Sequence, residues 1–273
     1  MAAAAGALLA GSAVLALAGG PAAAQEASTC DEVRVAEVSG LLDPVLVDFV
    51  EQTVLDADAC GAVAVVLQLS SSGAVVGDDR MAELIATIEE AMVPVTVWVG
   101  PSGAAARDEA FELVRAADVA ALAPRSRLQA PGGPSVGSDQ AAEQGLTTFG
   151  GRQAATLGDF IVNLADHDVP VQVRVIDGED GADPRREPVT RTRFSGLSLV
   201  DQMAHTFASP PVAYLLFTIG MALLLFELFT AGIGVAGVFG AGCTILACYG
   251  LAALPARWWA VTLLVLAMVA FAV

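Results

Sequence analysis

Few side chains in this sequence have the right types for hydrolytic chemistry. Ser102 stands in a Pro-Ser-Gly turn, and the chain has two histidines, His167 within ADHDVP and His205 beside a long apolar run. By residue type alone, Ser102, His167 and Asp166 or Asp168 could supply a nucleophile, a base and an orienting carboxylate. Nothing in their spacing aims the imidazole at that hydroxyl, and a histidine in a polar turn is ordinarily solvated. Asp166, His167 and Asp168 also have the types of metal ligands, but three adjacent side chains in one turn rarely converge on an ion. The oxygen-rich stretch Asp177 to Asp183 (DGEDGAD) matches no calcium-ligand spacing and reads as a solvated turn. No metal or other cofactor is expected.

Charge narrows the classes further. The 273 residues carry 30 acids against 13 bases, a net charge of −17, which excludes a basic footprint for nucleic acid. Every base is an arginine, so any mechanism that needs a lysine is excluded. A hydrophobic content of 55% with only 16% charged residues is too apolar for an ordinary soluble domain, and part of the chain must sit in lipid. Residues 1–24 read as a secretory leader ending in Ala22-Ala23-Ala24, though without a basic start. Spans are expected at 211–229 and 233–254, with a third apolar run, 258–273, shorter than a full crossing and read as truncated. Export of the middle of the chain puts the Gly-rich connection inside, against the bias of Arg185, Arg186, Arg191 and Arg193.

Glu227 is the one charged side chain between Val212 and Leu254. A carboxylate in a span is costly and often functional, yet this one lies near the end of its span, where it can cap the connection by accepting from backbone N–H groups. Gly232, Gly234, Gly237, Gly240 and Gly242 favour close helix approach, hence a packed hairpin or a homo-oligomer. Cys243 and Cys248 read as apolar packing residues, and His205 is expected at the headgroup level.

Positioning these residues falls to an alternation of short β-branched runs (33–38, 62–69, 95–99, 119–123, 171–176) with helical stretches (44–59, 79–92, 104–117, 153–165). In the first helix Val47, Val50, Val54 and Leu55 share a face, and Asp48, Glu51, Gln52 and Asp56 another. This predicts an α/β domain over about 30–195 with a mostly parallel sheet, and an irregular connection over 124–151. Cys30 and Cys60 precede the first two strands, so in a parallel pair they come within bridging distance. A disulfide is expected in an oxidising compartment, with two unrelated small residues at strand ends as the alternative.

The stretches VVLQLSSSGAVV (65–76), VPVTVWVGPSGAAARDEAFELVRAADVAALAP (93–124), ATLGDFIVNL (155–164) and SPPVAYLLFTIGMALLLFELFTAGIGVAGVFGA (209–241) resemble the NfeD family, membrane-bound relatives of ClpP-class serine peptidases. The resemblance implies a ClpP/crotonase-like βαβ domain followed by a transmembrane helical hairpin. It also implies an oxyanion turn, here Ser70, Ser71, Ser72, Gly73 and Ala74, in which Ala74 brings a Cβ where a glycine is usual. Against the relatives' Pro-Ser-Gly-Ala-Arg-Ala-Ala-Ser-Ala-Gly, the attacking serine falls on Asp108, and the general-base lysine has no counterpart. Arginine stays protonated and accepts no proton.

The resemblance and the missing dyad together imply a membrane-anchored protein whose exported, inactive domain acts as a scaffold or as a peptide- or partner-binding module. Its groove would lie between Gly73 and the helix starting near Ala104, and its implied partners, beside the lipid bilayer, are stomatin- or prohibitin-like membrane proteins. A small β-barrel after the spans, common in relatives, is not in this sequence. The competing readings are an active serine endopeptidase with a non-standard nucleophile and base, and a purely membrane-organising hairpin.

Overall fold

The computed structural model describes residues 30–176, 185–230, 234–253 and 258–272. The leader, the acidic stretch Asp177 to Asp183, Gly232 and Arg257 lie outside the described residues.

Strand β1 (Glu32–Ser39) leads into helix α1 (Pro44–Cys60), which starts where Asp43 accepts the Leu46 N–H at 2.8 Å and Pro44 supplies a pre-set φ. Helix α1 stops at Gly61, in the left-handed region at φ 64. It buries Leu46, Val47, Val50, Val54 and Ala57 on the sheet; Leu55, expected on that face, is exposed. Strand β2 (Ala64–Ser70), helix α2 (Asp78–Glu90) and strand β3 (Val95–Val99) follow. Arg80 on α2 forks between Glu51 and Asp48 of α1 and its own neighbour Glu83, which lifts its pKa further above the usual guanidinium range.

The stretch expected as one helix over 104–117 is instead strand β4 (Ala105–Arg107) and helix α3 (Glu109–Ala116), hinged at Asp108. After β5 (Val119–Leu122), the segment expected to be irregular holds β6 (Arg127–Gln129), β7 (Ser135–Gly137), α4 (Ser138–Glu143) and the short β8 (Phe149–Gly150). Helix α5 (Leu157–Leu164) opens with a Thr156/Asp159 capping box. Strands β9 (Val173–Ile176) and β10 (Arg185–Pro188) form an antiparallel pair of their own, so the run at 171–176 is not a strand of the main sheet. Strand β11 (Arg191–Ser195) belongs to that sheet.

The main sheet has six parallel strands in the order β11-β1-β2-β3-β5-β8. Apolar side chains cover both of its faces, as an all-parallel sheet requires. One core holds Leu46, Val50, Leu67, Leu84 and Leu113; the other is built around Trp98, Phe149, Phe160 and Leu164. A second small sheet, β4-β6-β7, stands beside the carboxyl ends of β2 and β3. At the opposite end of β1 and β2, the Cα atoms of Cys30 and Cys60 are 5.5 Å apart and their sulfurs are in bonding contact, with Arg34 Nη2 at 3.6 and 3.4 Å from the two sulfurs.

The rest is helical. Helix α6 (Leu199–Ala208) joins through Ser209 to α7 (Pro210–Thr230), which is followed by α8 (Val235–Ala253) and α9 (Trp258–Ala272). Helices α7 and α8 are long and apolar enough to cross a membrane. They cross at two glycines: a Cβ on Gly220 would meet Thr244 Oγ1 at 2.5 Å, and one on Gly240 would meet the Gly220 carbonyl at 2.9 Å. Gly242, expected to share this role, has nothing within 4 Å, and Cys248 is exposed on the helix surface rather than packed.

Candidate functional site

The turn after β2 is held from two directions. Ser71 donates its N–H to Ala105 O at 2.7 Å, and its carbonyl accepts from the Arg107 N–H at 3.1 Å, which ties the turn to β4. On the other side Leu42 N–H reaches Gly73 O at 3.0 Å, and Val75 N–H returns to Leu42 O at 2.9 Å. Gly73 adopts φ +129, a region that favours glycine, and a Cβ there would lie 3.0 Å from Glu109 Oε2 and 3.6 Å from Asp108 Cβ. The turn and the start of α3 therefore face each other at close range.

Both N–H groups of the turn already have intramolecular acceptors. Ala74 donates to Glu109 Oε2 at 2.9 Å, and Gly73 donates to Ser71 Oγ at 3.3 Å. The Glu109 carboxylate thus closes over the turn. Beside it, Asp108 adopts φ 49, ψ −122, a sharp strand-to-helix elbow in a region costly for a residue with a Cβ. Its N–H is held by Gln129 O at 3.1 Å, and its side chain makes no capping hydrogen bond to α3. Nothing in the sequence points to Glu109 beyond its position next to Asp108, at the first turn of a helix.

The other candidates are not brought together. Ser102 follows the carboxyl end of β3, where its hydroxyl donates to Pro124 O at 2.5 Å and accepts from Arg125 Nε at 3.4 Å. His167 stacks on Phe149 at 5.0 Å and lines a hollow with Val93 and Pro94, at the amino end of β3. The five residues of β3 lie between them, a separation on the order of 16 Å. Asp166 is taken by the fork of Arg186, at 2.6 and 3.1 Å, which holds its carboxyl below the ordinary value, and no cluster fit to hold a metal occurs among the described residues.

In the helical region Glu227 lies near the end of α7, and its Oε1 accepts the Gly234 N–H at 2.7 Å, at the amino end of α8. Residues 211–273, which contain this hairpin, match the NfeD integral membrane domain. These residues thus carry an NfeD-type membrane domain. Ahead of it the chain carries the α/β domain described above. The fold is similar to that of a membrane protease specific for a stomatin homolog from Pyrococcus horikoshii, with 16% identity, TM-score 0.50, and coverage of 65% of this chain and 98% of that one. Weaker likenesses are to the ClpP protease catalytic domain from Plasmodium falciparum (8% identity, 43% and 84% coverage, TM-score 0.38) and to an enoyl-CoA hydratase/isomerase family protein from Silicibacter pomeroyi (13%, 44% and 72%, 0.38). No curated protein matches the sequence.

One residue of α6 has partners that its sequence context does not announce. The Nδ1 of His205 lies 2.8 Å from Asp43 Oδ2 and its Nε2 3.1 Å from Ser39 O. Both partners can accept, an arrangement that a charged imidazole satisfies by donating from both ring nitrogens. The hydrogen bond to Asp43 raises its pKa, working against partial burial. Asp43 is 2% exposed. The contact joins the α/β domain to the helix that leads into the membrane.

Proposed function

We propose that this chain is a membrane-anchored member of the NfeD family whose ClpP-like domain, exported across the membrane, holds an extended peptide or a partner protein without cutting it. The single observation that carries this reading is the hydrogen bond from Ala74 N–H to Glu109, with Asp108 at the elbow. Acyl transfer needs an activated hydroxyl, a base that can be neutral and free N–H donors aimed at the developing oxyanion. Here an acid stands at the elbow, lysine is missing from the sequence, and a fixed carboxylate satisfies one of the turn's donors.

The framework around that chemistry persists. The turn at Gly73 still opposes β4, β6 and the start of α3, which is the helix bordering the groove; it begins at Glu109 rather than near Ala104. A framework of this kind suits an extended peptide that adds as a strand. Because the solved relative is specific for a stomatin homolog, the partner proposed here is a stomatin-like membrane protein, bound rather than cleaved.

The test uses the full chain in detergent. Fluorescently labelled apolar peptides should bind saturably, and a fluorophosphonate probe should capture no serine. Absence of binding to any apolar extended peptide would remove the module reading. Capture of a serine, together with peptide cleavage lost on one Ser→Ala change, would establish an active peptidase in its place.

A further inference from the structure

Helix α6 has two faces with different fates. At about 100° per residue, Leu199, Val200, Met203 and Phe207 share one side, and His205 lies across the helix from them. The His205 side is spoken for: it grips Asp43 and Ser39 O, and with Gln202 it lines a small cleft against Glu37, Leu46 and Leu197. The other side is bare among the described residues, with Leu199 80%, Val200 76% and Met203 58% exposed. An apolar face of this kind on a short helix carries a cost in water unless something covers it.

Three observations say what covers it. Helix α6 runs into α7, which is long and apolar enough to cross a membrane, with only Ser209 between them, so α6 stands at an end of the hairpin. Its last turn is pressed on the end of α8, so closely that a Cβ on Gly250 would collide with the Phe207 carbonyl. The chain has two tyrosines. Tyr214, in the first turns of α7, and Tyr249, in the last turns of α8, are both exposed at this same end of the hairpin, where amphipathic rings mark the headgroup level.

We infer that α6 is an interfacial helix, lying against the bilayer with Leu199, Val200 and Met203 among the upper acyl chains while His205 on its far side holds the α/β domain. The occupant of the face is lipid. A helix placed in this way buries its apolar side by roughly 5–10 Å below the headgroup boundary. It makes α6 a plate between domain and membrane and fixes which side of the domain looks at the bilayer. Helix α6 carries no Lys or Arg, so its seating relies on apolar contact alone.

The full chain, with Cys243 and Cys248 changed to serine, is reconstituted in phosphatidylcholine vesicles and spin-labelled through Leu199→Cys, Met203→Cys or Gln202→Cys, one at a time. Collision rates with molecular oxygen, which partitions into lipid, and with a water-soluble nickel chelate are then measured. The inference expects the oxygen-to-nickel ratio at 199 and 203 to be several-fold above that at 202. A ratio at 199 and 203 equal to that at 202 places the face in water and overturns the inference. Labels at 199 and 203 shielded from both reagents place it against protein, which overturns it equally. Using two positions guards against one label disturbing the helix, and far-ultraviolet circular dichroism of each variant confirms that it is folded.

Discussion

Replacing Asp108 gives a sharp test of whether the backbone at this elbow is strained. In a helix interior alanine is more stable than glycine by about 0.5–1 kcal/mol, because glycine loses more backbone freedom on folding, whereas at an N-cap glycine is already the better of the two. Asp108 is the N-cap of α3, and at φ 49, ψ −122 the advantage of glycine should widen. A residue with a Cβ held in such a sparsely populated region costs about 1–3 kcal/mol, and glycine escapes that cost. No capping hydrogen bond is at stake, since the Asp108 side chain makes none to α3, and Asp108→Ala and Asp108→Gly remove the same charge from the helix start. Comparing the two variants therefore isolates the backbone term. Asp108→Gly should be more stable than Asp108→Ala by about 1 kcal/mol, or roughly 2–4 °C in melting temperature for a domain of this size. The assay is thermal unfolding of both full-length variants in detergent, with Trp258 and Trp259 changed to phenylalanine in each, followed by the fluorescence of the remaining Trp98, a buried residue of the α/β domain. If the two variants differ by no more than a few tenths of a kcal/mol, the backbone at Asp108 carries no strain and the elbow argument fails.

Other outcomes are set by the geometry. His205 has a raised pKa in the folded protein, so its contribution is full below the ordinary imidazole value of about 6.5 and is lost as pH climbs through the raised native value. Docking of the α/β domain on α6 should weaken over that window by at most about 1.4 kcal/mol per pH unit, and His205→Gln should flatten the profile, as read by hydrogen exchange of the α6 amides. Cys30 and Cys60 should be found disulfide-bonded by non-reducing mass spectrometry of protein from an oxidising compartment. With a sequence separation of 30 between them, Cys60→Ser should lower the stability of the domain by about 3–4 kcal/mol in the loop-entropy account. Gly240→Leu should separate α7 from α8, because even a Cβ there falls 2.9 Å from the Gly220 carbonyl; disulfide cross-linking of cysteines placed across the pair would report the loss.

The parallel sheet is legible in the sequence because its strands are buried on both faces and read as unbroken apolar runs such as VTVWV at 95–99. The membrane hairpin is legible for the same reason of continuous hydropathy. The helix expected over 104–117 breaks at Asp108 because a tertiary bond, Asp108 N–H to Gln129 O, fixes a dihedral that no local pattern announces. Leu55 falls just off the buried face of α1, one position round the helix from Val54. The triad of Ser102 and His167 does not assemble because residue type carries no information about which end of a strand a turn occupies. Glu109 and the pairing of His205 with Asp43 depend on contacts between residues far apart in sequence, and only the folded chain brings them together. The site at Gly73 and Asp108 is reached through family likeness, since composition and periodicity say nothing about it.

Strand β1 has β2 on one side and β11 on the other, so the second neighbour comes from residues 191–195, about 150 positions later in the chain. The last strand of the sheet is therefore made immediately before α6 and the first membrane span. The rim of β1 stays unzipped until residues 191–195, just ahead of the hydrophobic hairpin, are available to pair with it. A product that terminates before Arg191 leaves the backbone of β1 open to any passing strand, which makes premature termination or proteolysis in the 176–190 region a route to aggregates rather than to a free, folded ectodomain.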